Sequence, residues 1–132
     1  MRTTDIGRLG EELAAKFLKK NGYTILEQNK HQSHNEIDII ASNKEYIVFV
    51  EVKTRSVIDC DMNMSYGTPA SAVTRGKQMR TVSAARAYLA QNADKKHAGK
   101  QPRMDVIEIY LQKETNKLLK INHIEDAFGA SR

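Results

Sequence analysis

At 132 residues and 40% hydrophobic content, the chain can bury one ordinary core but is too short for a second of similar size, so we expect a single domain, 1–132. Its longest apolar run, 46–50, is far below the roughly 20 residues that span a bilayer, and the N-terminus lacks the hydrophobic stretch of a signal peptide, so we expect a soluble protein that is not exported. Because Cys60 is the only cysteine, a disulfide within the chain and a cysteine-based zinc site are also excluded, and we expect a cytoplasmic protein.

The net charge of +5 is unevenly distributed along the sequence. Residues 1–66 carry 9 basic and 10 acidic side chains, whereas residues 67–132 carry 12 and 6. This asymmetry suits a polyanionic partner bound by the basic half, with an acidic cluster elsewhere that binds cations. A basic surplus that only keeps the protein soluble explains the same numbers, so charge alone leaves both interpretations open.

The first third of the chain predicts a helix, a short strand and a loop. Apolar side chains recur at helical spacing over residues 3–20, polar residues at its start can cap the helix, and Asn21-Gly22 ends it. Residues 23–27 then predict a short strand, and the polar stretch 28–35 predicts a loop.

Two strands rich in Ile and Val follow, at 37–41 and 46–54, and the polar residues 42–45 between them are a natural hairpin connection. Residues 56–67 have no regular period and predict a loop that can gate a substrate.

Thr68-Pro69 is typical of a helix start, and we expect that helix to bend at Gly76 and continue to residue 91. Beyond it we expect a polar linker (92–101), two strands (103–111 and 117–124) and a short peripheral tail from Glu125. This order of elements predicts an α/β fold, in which helices pack on a mixed sheet with the hairpin at its centre.

The hairpin carries the most informative charged residues. The period of two along a strand puts Phe49, Glu51 and Lys53 on one face and the alternate valines on the other. Folding the hairpin about residues 43–44 brings Asp38 opposite or diagonal to the segment that contains Glu51. Asp38 and Glu51 are therefore placed to share a cation.

A carboxylate pair that binds Mg²⁺ or Mn²⁺ suits phosphodiester hydrolysis, because hard cations prefer oxygen ligands, polarise a phosphoryl group and acidify water. Lys53, two residues from Glu51 on the same face, could position the attacking water or stabilise the charge that develops in the transition state. A salt-bridged patch of Asp38, Glu51 and Lys53 on a half-exposed strand remains the alternative.

The spacing of Asp38 from Glu51-Val52-Lys53 resembles the motif of the PD-(D/E)XK restriction-endonuclease-like superfamily. More of the chain resembles the YraN-like bacterial family, which is distantly similar to archaeal Holliday junction resolvases. The segments that carry this resemblance are Gly7-Arg8-Leu9-Gly10-Glu11 with Ala14, Glu36-Ile37-Asp38, Phe49-Val50-Glu51-Val52-Lys53-Thr54-Arg55, Gly67-Thr68-Pro69, Lys77, Arg103-Met104-Asp105-Val106 and Ala127-Phe128.

This resemblance implies a restriction-endonuclease-like three-layer sandwich, with a central mixed β-sheet flanked by helices. It also implies that Asp38, Glu51 and Lys53 form the catalytic core, and that Glu11 is the acid on the first helix. Asp38, Glu51 and Glu11 are then the expected ligands of Mg²⁺ or Mn²⁺. A solvated helix glutamate is the alternative interpretation of Glu11.

The expected partner is nucleic acid, with DNA favoured, and the expected phosphate contacts are Arg55, Lys77, Arg75 and Arg80. A solvated helix face is the alternative for Arg80. Symmetric cutting of a duplex or junction would suggest a homodimer. The sequence thus predicts a metal-dependent endonuclease, and a nucleic-acid-binding module that retains the fold without efficient catalysis is the competing hypothesis.

Overall fold

A computed structural model describes residues 3–32, 35–58, 73–92, 97 and 99–129, which contain two helices and one five-stranded sheet. The elements are α1 (Thr3–Lys20), β1 (Thr24–Gln32), β2 (Asn35–Ser42), β3 (Tyr46–Val57), α2 (Arg75–Gln91), β4 (Gln101–Gln112) and β5 (Leu118–Phe128). Neither helix of these described segments has the length and apolar character that a bilayer crossing requires.

The sheet is mixed, and its strands lie in chain order with β3 at the centre. The pairs β1–β2, β2–β3 and β4–β5 are antiparallel, whereas β3 and β4 are parallel and are connected through α2. The predicted hairpin is confirmed as β2 and β3, and its turn is stabilised by Asn43, whose Oδ1 accepts hydrogen bonds from the backbone N–H groups of Glu45 and Tyr46 at 3.0 and 2.8 Å.

The helices cover opposite faces of the sheet. Val48, Val50 and Val52 of β3 pack in one core cluster with the apolar residues of α1, whereas Ile47 and Phe49 pack in a second cluster with those of α2. The predicted alternation along β3 is therefore confirmed, and it places Glu51 and Lys53 on the α2 side of the sheet. The result is an α/β sandwich of three layers.

Close approach of α1 to the sheet depends on Gly10. A Cβ atom at this position would lie 1.8 Å from Oγ1 of Thr54 in β3. Since no side chain fits there, glycine lets the helix backbone lie directly against β3. The neighbouring Glu11 is thereby brought close to the strand that carries Glu51.

Two sequence predictions about these elements were wrong, and parts of two others lie outside the described residues. The predicted loop at 28–35 is largely strand, because β1 continues to Gln32 and β2 begins at Asn35. The helix that contains Gly76 begins at Arg75, with Thr74 as its N-cap. It is therefore not a continuation, bent at Gly76, of a helix that begins at Thr68. Thr68-Pro69 and most of the predicted loop 56–67 lie outside the described residues, although Ser56 and Val57 belong to β3.

The tail from Glu125 is not peripheral, because β5 continues to Phe128, whose side chain is buried in the cluster under α2. Two acidic residues followed by two apolar ones do not alternate, so this segment gave no pattern from which to predict the end of the strand.

A buried polar network on the α1 side connects three parts of the fold. Asp105 is fully buried and accepts hydrogen bonds from Arg103 at 2.9 and 2.8 Å and from the backbone N–H of Asp126 at 3.0 Å, while Nε2 of His123 lies 2.7 Å away. Arg103 also donates to the hydroxyl of Tyr23. Burial alone would raise the pKa of Asp105, but these hydrogen bonds outweigh it and lower that pKa. The Arg103 and Asp105 motif thus has a structural role in the described residues.

Candidate active site

Glu51 lies between two lysines at the centre of the candidate site. Its Oε1 is 3.6 Å from Nζ of Lys53, the second residue along β3, and its Oε2 is 3.9 Å from Nζ of Lys77 on α2. The carboxylate is buried, whereas both lysine side chains are about one-third exposed. Both separations are longer than a hydrogen bond, so the carboxylate oxygens keep lone pairs for a further ligand.

Asp38 lies at the junction of β2 and β3. Its Oδ2 accepts a hydrogen bond from the backbone N–H of Val52 at 2.9 Å, so the side chain lies along the sheet and meets the strand next to Glu51. Its neighbours Ile37 and Ile39 pack in different core clusters, although alternate residues of a regular strand share a face. The strand is therefore irregular at Asp38, which turns the carboxylate towards β3.

The pKa of Asp38 reflects its burial and the charged groups around it. Burial raises the pKa of Asp38 to about 7, the charge of Glu51 adds to the effect, and the hydrogen bond from Val52 opposes it. The charges of Glu11 and Lys77 also act on this group, with opposite signs. Asp38, Glu51, Glu11 and Lys77 thus form one electrostatic unit.

Glu11 approaches this unit from α1. Burial raises its pKa, a side-chain hydrogen bond with Asn29 opposes the change, and the charges of Glu36 and Glu51 raise the pKa further. Asn29 has a φ of 53°, in the left-handed region that asparagine tolerates. Glu11 is accordingly held at the margin of the site and is not a freely solvated helix residue like Glu12.

The donor set fits a hard divalent cation. A cation reduces the repulsion between two neighbouring carboxylates, and Mg²⁺ commonly uses one or two protein carboxylates and completes its shell with water and substrate oxygens. Within the described residues, no three acidic, histidine or cysteine side chains converge as a ready-made metal cluster. The arrangement therefore favours the pair Asp38 and Glu51 as ligands, with Glu11 further out.

The predicted phosphate contacts divide into three groups. Lys77 enters the site itself, and Arg55 continues the row of Glu51 and Lys53 on the same face of β3. Arg75 is about 200° around the helix from Lys77 and lines a separate groove beside Met79 and Val82. Arg80 is exposed on α2, consistent with either a phosphate contact or a solvated helix face.

Sequence reasoning missed two features of this site. It assigned Lys77 to dispersed binding, because no pattern in the sequence predicts which residue of α2 meets β3. It also missed the buried Glu108 of β4, which is paired in register with Lys53 and accepts from Arg55. A charged residue within the apolar run 106–111 was the available signal for Glu108.

Residues 10–109 match the uncharacterised protein family UPF0102. The chain belongs to this family. It is 45% identical over 123 residues to the UPF0102 protein TTE1452 of Caldanaerobacter subterraneus subsp. tengcongensis, and this alignment covers 93% of both proteins. A UPF0102 protein of Dictyoglomus thermophilum is 38% identical over 128 residues, which are 97% of this chain and 100% of the relative. As a UPF0102 protein, it shares its length as well as its sequence with these relatives.

Two solved structures are similar at low sequence identity. An XisH family protein from Nostoc punctiforme is 12% identical with a TM-score of 0.40, covering 85% of this chain and 97% of that one. SfsA of Pyrococcus furiosus is 11% identical with a TM-score of 0.38, covering 93% of this chain and 63% of that one. Both scores are too low to indicate function.

Proposed function

We propose that this UPF0102 protein is a metal-dependent endonuclease that hydrolyses phosphodiester bonds in DNA, with a PD-(D/E)XK site on a restriction-endonuclease-like fold. The observation that carries the proposal is Glu51, a buried carboxylate placed between Lys53 and Lys77 and electrostatically coupled to Asp38. Acids that hold a cation, adjacent to basic groups that meet a phosphate, are what phosphoryl transfer to water requires.

Asp38 and Glu51 would hold Mg²⁺ or Mn²⁺, with Glu11 as an outer ligand or water contact. When bound, the ion supplies a Lewis acid that polarises the phosphoryl group and acidifies a nearby water. Branched DNA from recombination or repair is the proposed substrate.

The lysines supply the positive charge. Lys53 and Lys77 approach the carboxylate of Glu51 from a strand and from a helix. Both ammonium groups would therefore lie next to a phosphate bound at the Asp38 and Glu51 pair. Their contribution is largest when negative charge accumulates in the transition state. Arg55 and the exposed basic residues of α2 contribute affinity along the rest of the bound strand.

A second candidate function is a nucleic-acid-binding module without efficient catalysis. Its support is that the lysines already neutralise both oxygens of Glu51, and that no group of three metal ligands converges among the residues the structure describes. A cation must then compete with two ammonium groups for this carboxylate. The basic helix α2 serves either function.

One experiment separates the two. The protein is incubated with linear duplex, single-stranded and four-way DNA in Mg²⁺ or Mn²⁺, with Asp38→Asn as the matched variant. Asparagine keeps an oxygen that can accept from the N–H of Val52 but removes the charge. We expect cleavage by the parent and at least about 100-fold less by the variant. Binding without cleavage by the parent on all three DNAs would establish the binding module instead.

A further inference from the structure

Glu108 is the centre of a buried cluster on the α2 side of the sheet, next to the candidate active site. Its carboxylate is almost completely buried. It accepts hydrogen bonds from Nε of Arg55 at 3.0 Å, from the hydroxyl of Tyr110 at 3.1 Å and from Nδ2 of Asn122 at 3.2 Å. The donors come from β3, β4 and β5, so one carboxylate connects three adjacent strands.

A buried carboxylate is expensive unless its lone pairs are satisfied, and here three donors satisfy them. The two ends of the ion pair differ in exposure: the side chain of Glu108 is 4% exposed and that of Arg55 is 27% exposed. The pair is thus anchored at its acidic end and accessible from solvent at its basic end. An arginine held in this way loses little further side-chain entropy when it meets a second anion.

Arg55 also lies in the right place for such an anion. Glu51, Lys53 and Arg55 are alternate residues of β3 and share the α2 side of the sheet, and successive members of this row are about 7 Å apart. A nucleic-acid strand with one phosphate at Glu51 and Lys53 therefore passes within reach of the guanidinium.

We propose that Glu108 is a positioning residue, which holds Nε of Arg55 so that the guanidinium clamps a phosphate of the bound strand beside the reacting one. The phosphate clamp requires only nucleic-acid binding, whereas its place beside the reacting phosphate rests on the proposed function. Arginine suits this position because its planar fork can contact Glu108 and a phosphate at once. The ammonium of a lysine carries the same charge but lacks the planar fork that presents separate donors to Glu108 and to a phosphate.

The test measures DNA affinity as a function of salt, without divalent metal so that the DNA remains intact. A labelled linear duplex is titrated between about 50 and 200 mM salt with the parent, Arg55→Ala, Arg55→Lys, Glu108→Gln and the double variant Arg55→Ala with Glu108→Gln. One lost phosphate contact lowers the slope of log affinity against log salt by about one. We expect this loss for both Arg55 variants and for Glu108→Gln, with no additional loss in the double variant.

The matched control is Asp105→Asn, which disturbs a different buried ion pair of the same sheet and should leave the salt slope unchanged. An unchanged slope for Arg55→Ala, or a further fall in the double variant, overturns the clamp. If Glu108→Gln does not fold, the Arg55→Lys variant provides the test. Parent-like binding and salt slope with lysine at this position would overturn the proposal that Glu108 holds the planar guanidinium on a phosphate.

The outcomes also separate this proposal from the nuclease assignment. A parent that cuts DNA with a slope independent of Arg55 has no clamp but is still a nuclease. If the parent never cuts DNA, but the Arg55 and Glu108 variants each have a salt slope about one unit smaller than the parent, the protein has the clamp without the activity. Absence of any DNA binding overturns both.

Discussion

At the scale of single residues, the structure changes the expected role of Lys77. The sequence suggested a dispersed phosphate contact, but the ammonium lies 3.9 Å from Glu51, opposite Lys53 on the other carboxylate oxygen. In the proposed nuclease, two basic groups beside one carboxylate would act on the same reacting phosphate. We therefore assign Lys77 to the chemistry together with Lys53.

Substituting either lysine should reduce the rate of cleavage much more than the affinity. We expect Lys53→Ala and Lys77→Ala each to lower kcat by about 100-fold or more, and to change the dissociation constant for DNA only a few fold, because other basic residues maintain binding. Cleavage rate and affinity are measured on the same DNA. Arg86→Ala, which removes a positive charge from the outer side of α2, is the control and should leave kcat unchanged. Loss of affinity in proportion to rate would return Lys77 to the binding role.

At the scale of elements, the contact between α1 and β3 decides whether Glu11 reaches the site. The helix itself was predictable from its apolar period, and so was the face that it packs against the sheet. The distance between α1 and the sheet was not predictable, because it depends on Gly10 having no side chain where the helix meets Thr54. A second glycine, Gly7, has nothing within 4 Å of its would-be Cβ, so two glycines of one helix have different roles.

These two glycines provide a matched prediction. Gly10→Ala should destabilise the fold by about 1–3 kcal/mol or more, because the added methyl group overlaps Thr54 and forces α1 away from the sheet. Gly7→Ala should be neutral or stabilising by up to about 1 kcal/mol, since alanine is the better helix former. Urea unfolding followed by circular dichroism measures both. Equal stability of the two variants would mean that α1 does not lie as close to β3 as described.

At the scale of the whole molecule, the raised pKa of Asp38 makes the stability of the fold depend on pH. Because the folded-state pKa of Asp38 is raised to about 7 from an ordinary value of 3.8, folding favours the protonated form. The sign follows from proton linkage: the folded state binds more protons between these two pH values, so stability is lost as pH rises through that window. Active sites commonly carry such a cost.

Thermal unfolding with and without Mn²⁺ tests this coupling. Without metal, the melting temperature of the parent should fall relative to that of Asp38→Asn as pH rises from about 4 towards 8. Mn²⁺ should raise the melting temperature of the parent at pH 8 much more than at pH 5, because the ion binds the deprotonated acid and stabilises the folded state by mass action. The variant should respond little at either pH. A parent that gains nothing from Mn²⁺ at pH 8 would leave Asp38 and Glu51 without a metal role.

The sequence by itself determined the order of most elements and the central hairpin. It also determined that Glu51 and Lys53 share a face of β3, because alternation along a strand and helical periodicity are local patterns that burial imposes on neighbouring residues. Only the tertiary structure decided that Lys77 meets Glu51, that Gly10 lets Glu11 approach, and that Glu108 holds Arg55. These contacts join residues far apart in the chain, and their geometry depends on how helices and strands pack against one another, which no local period encodes.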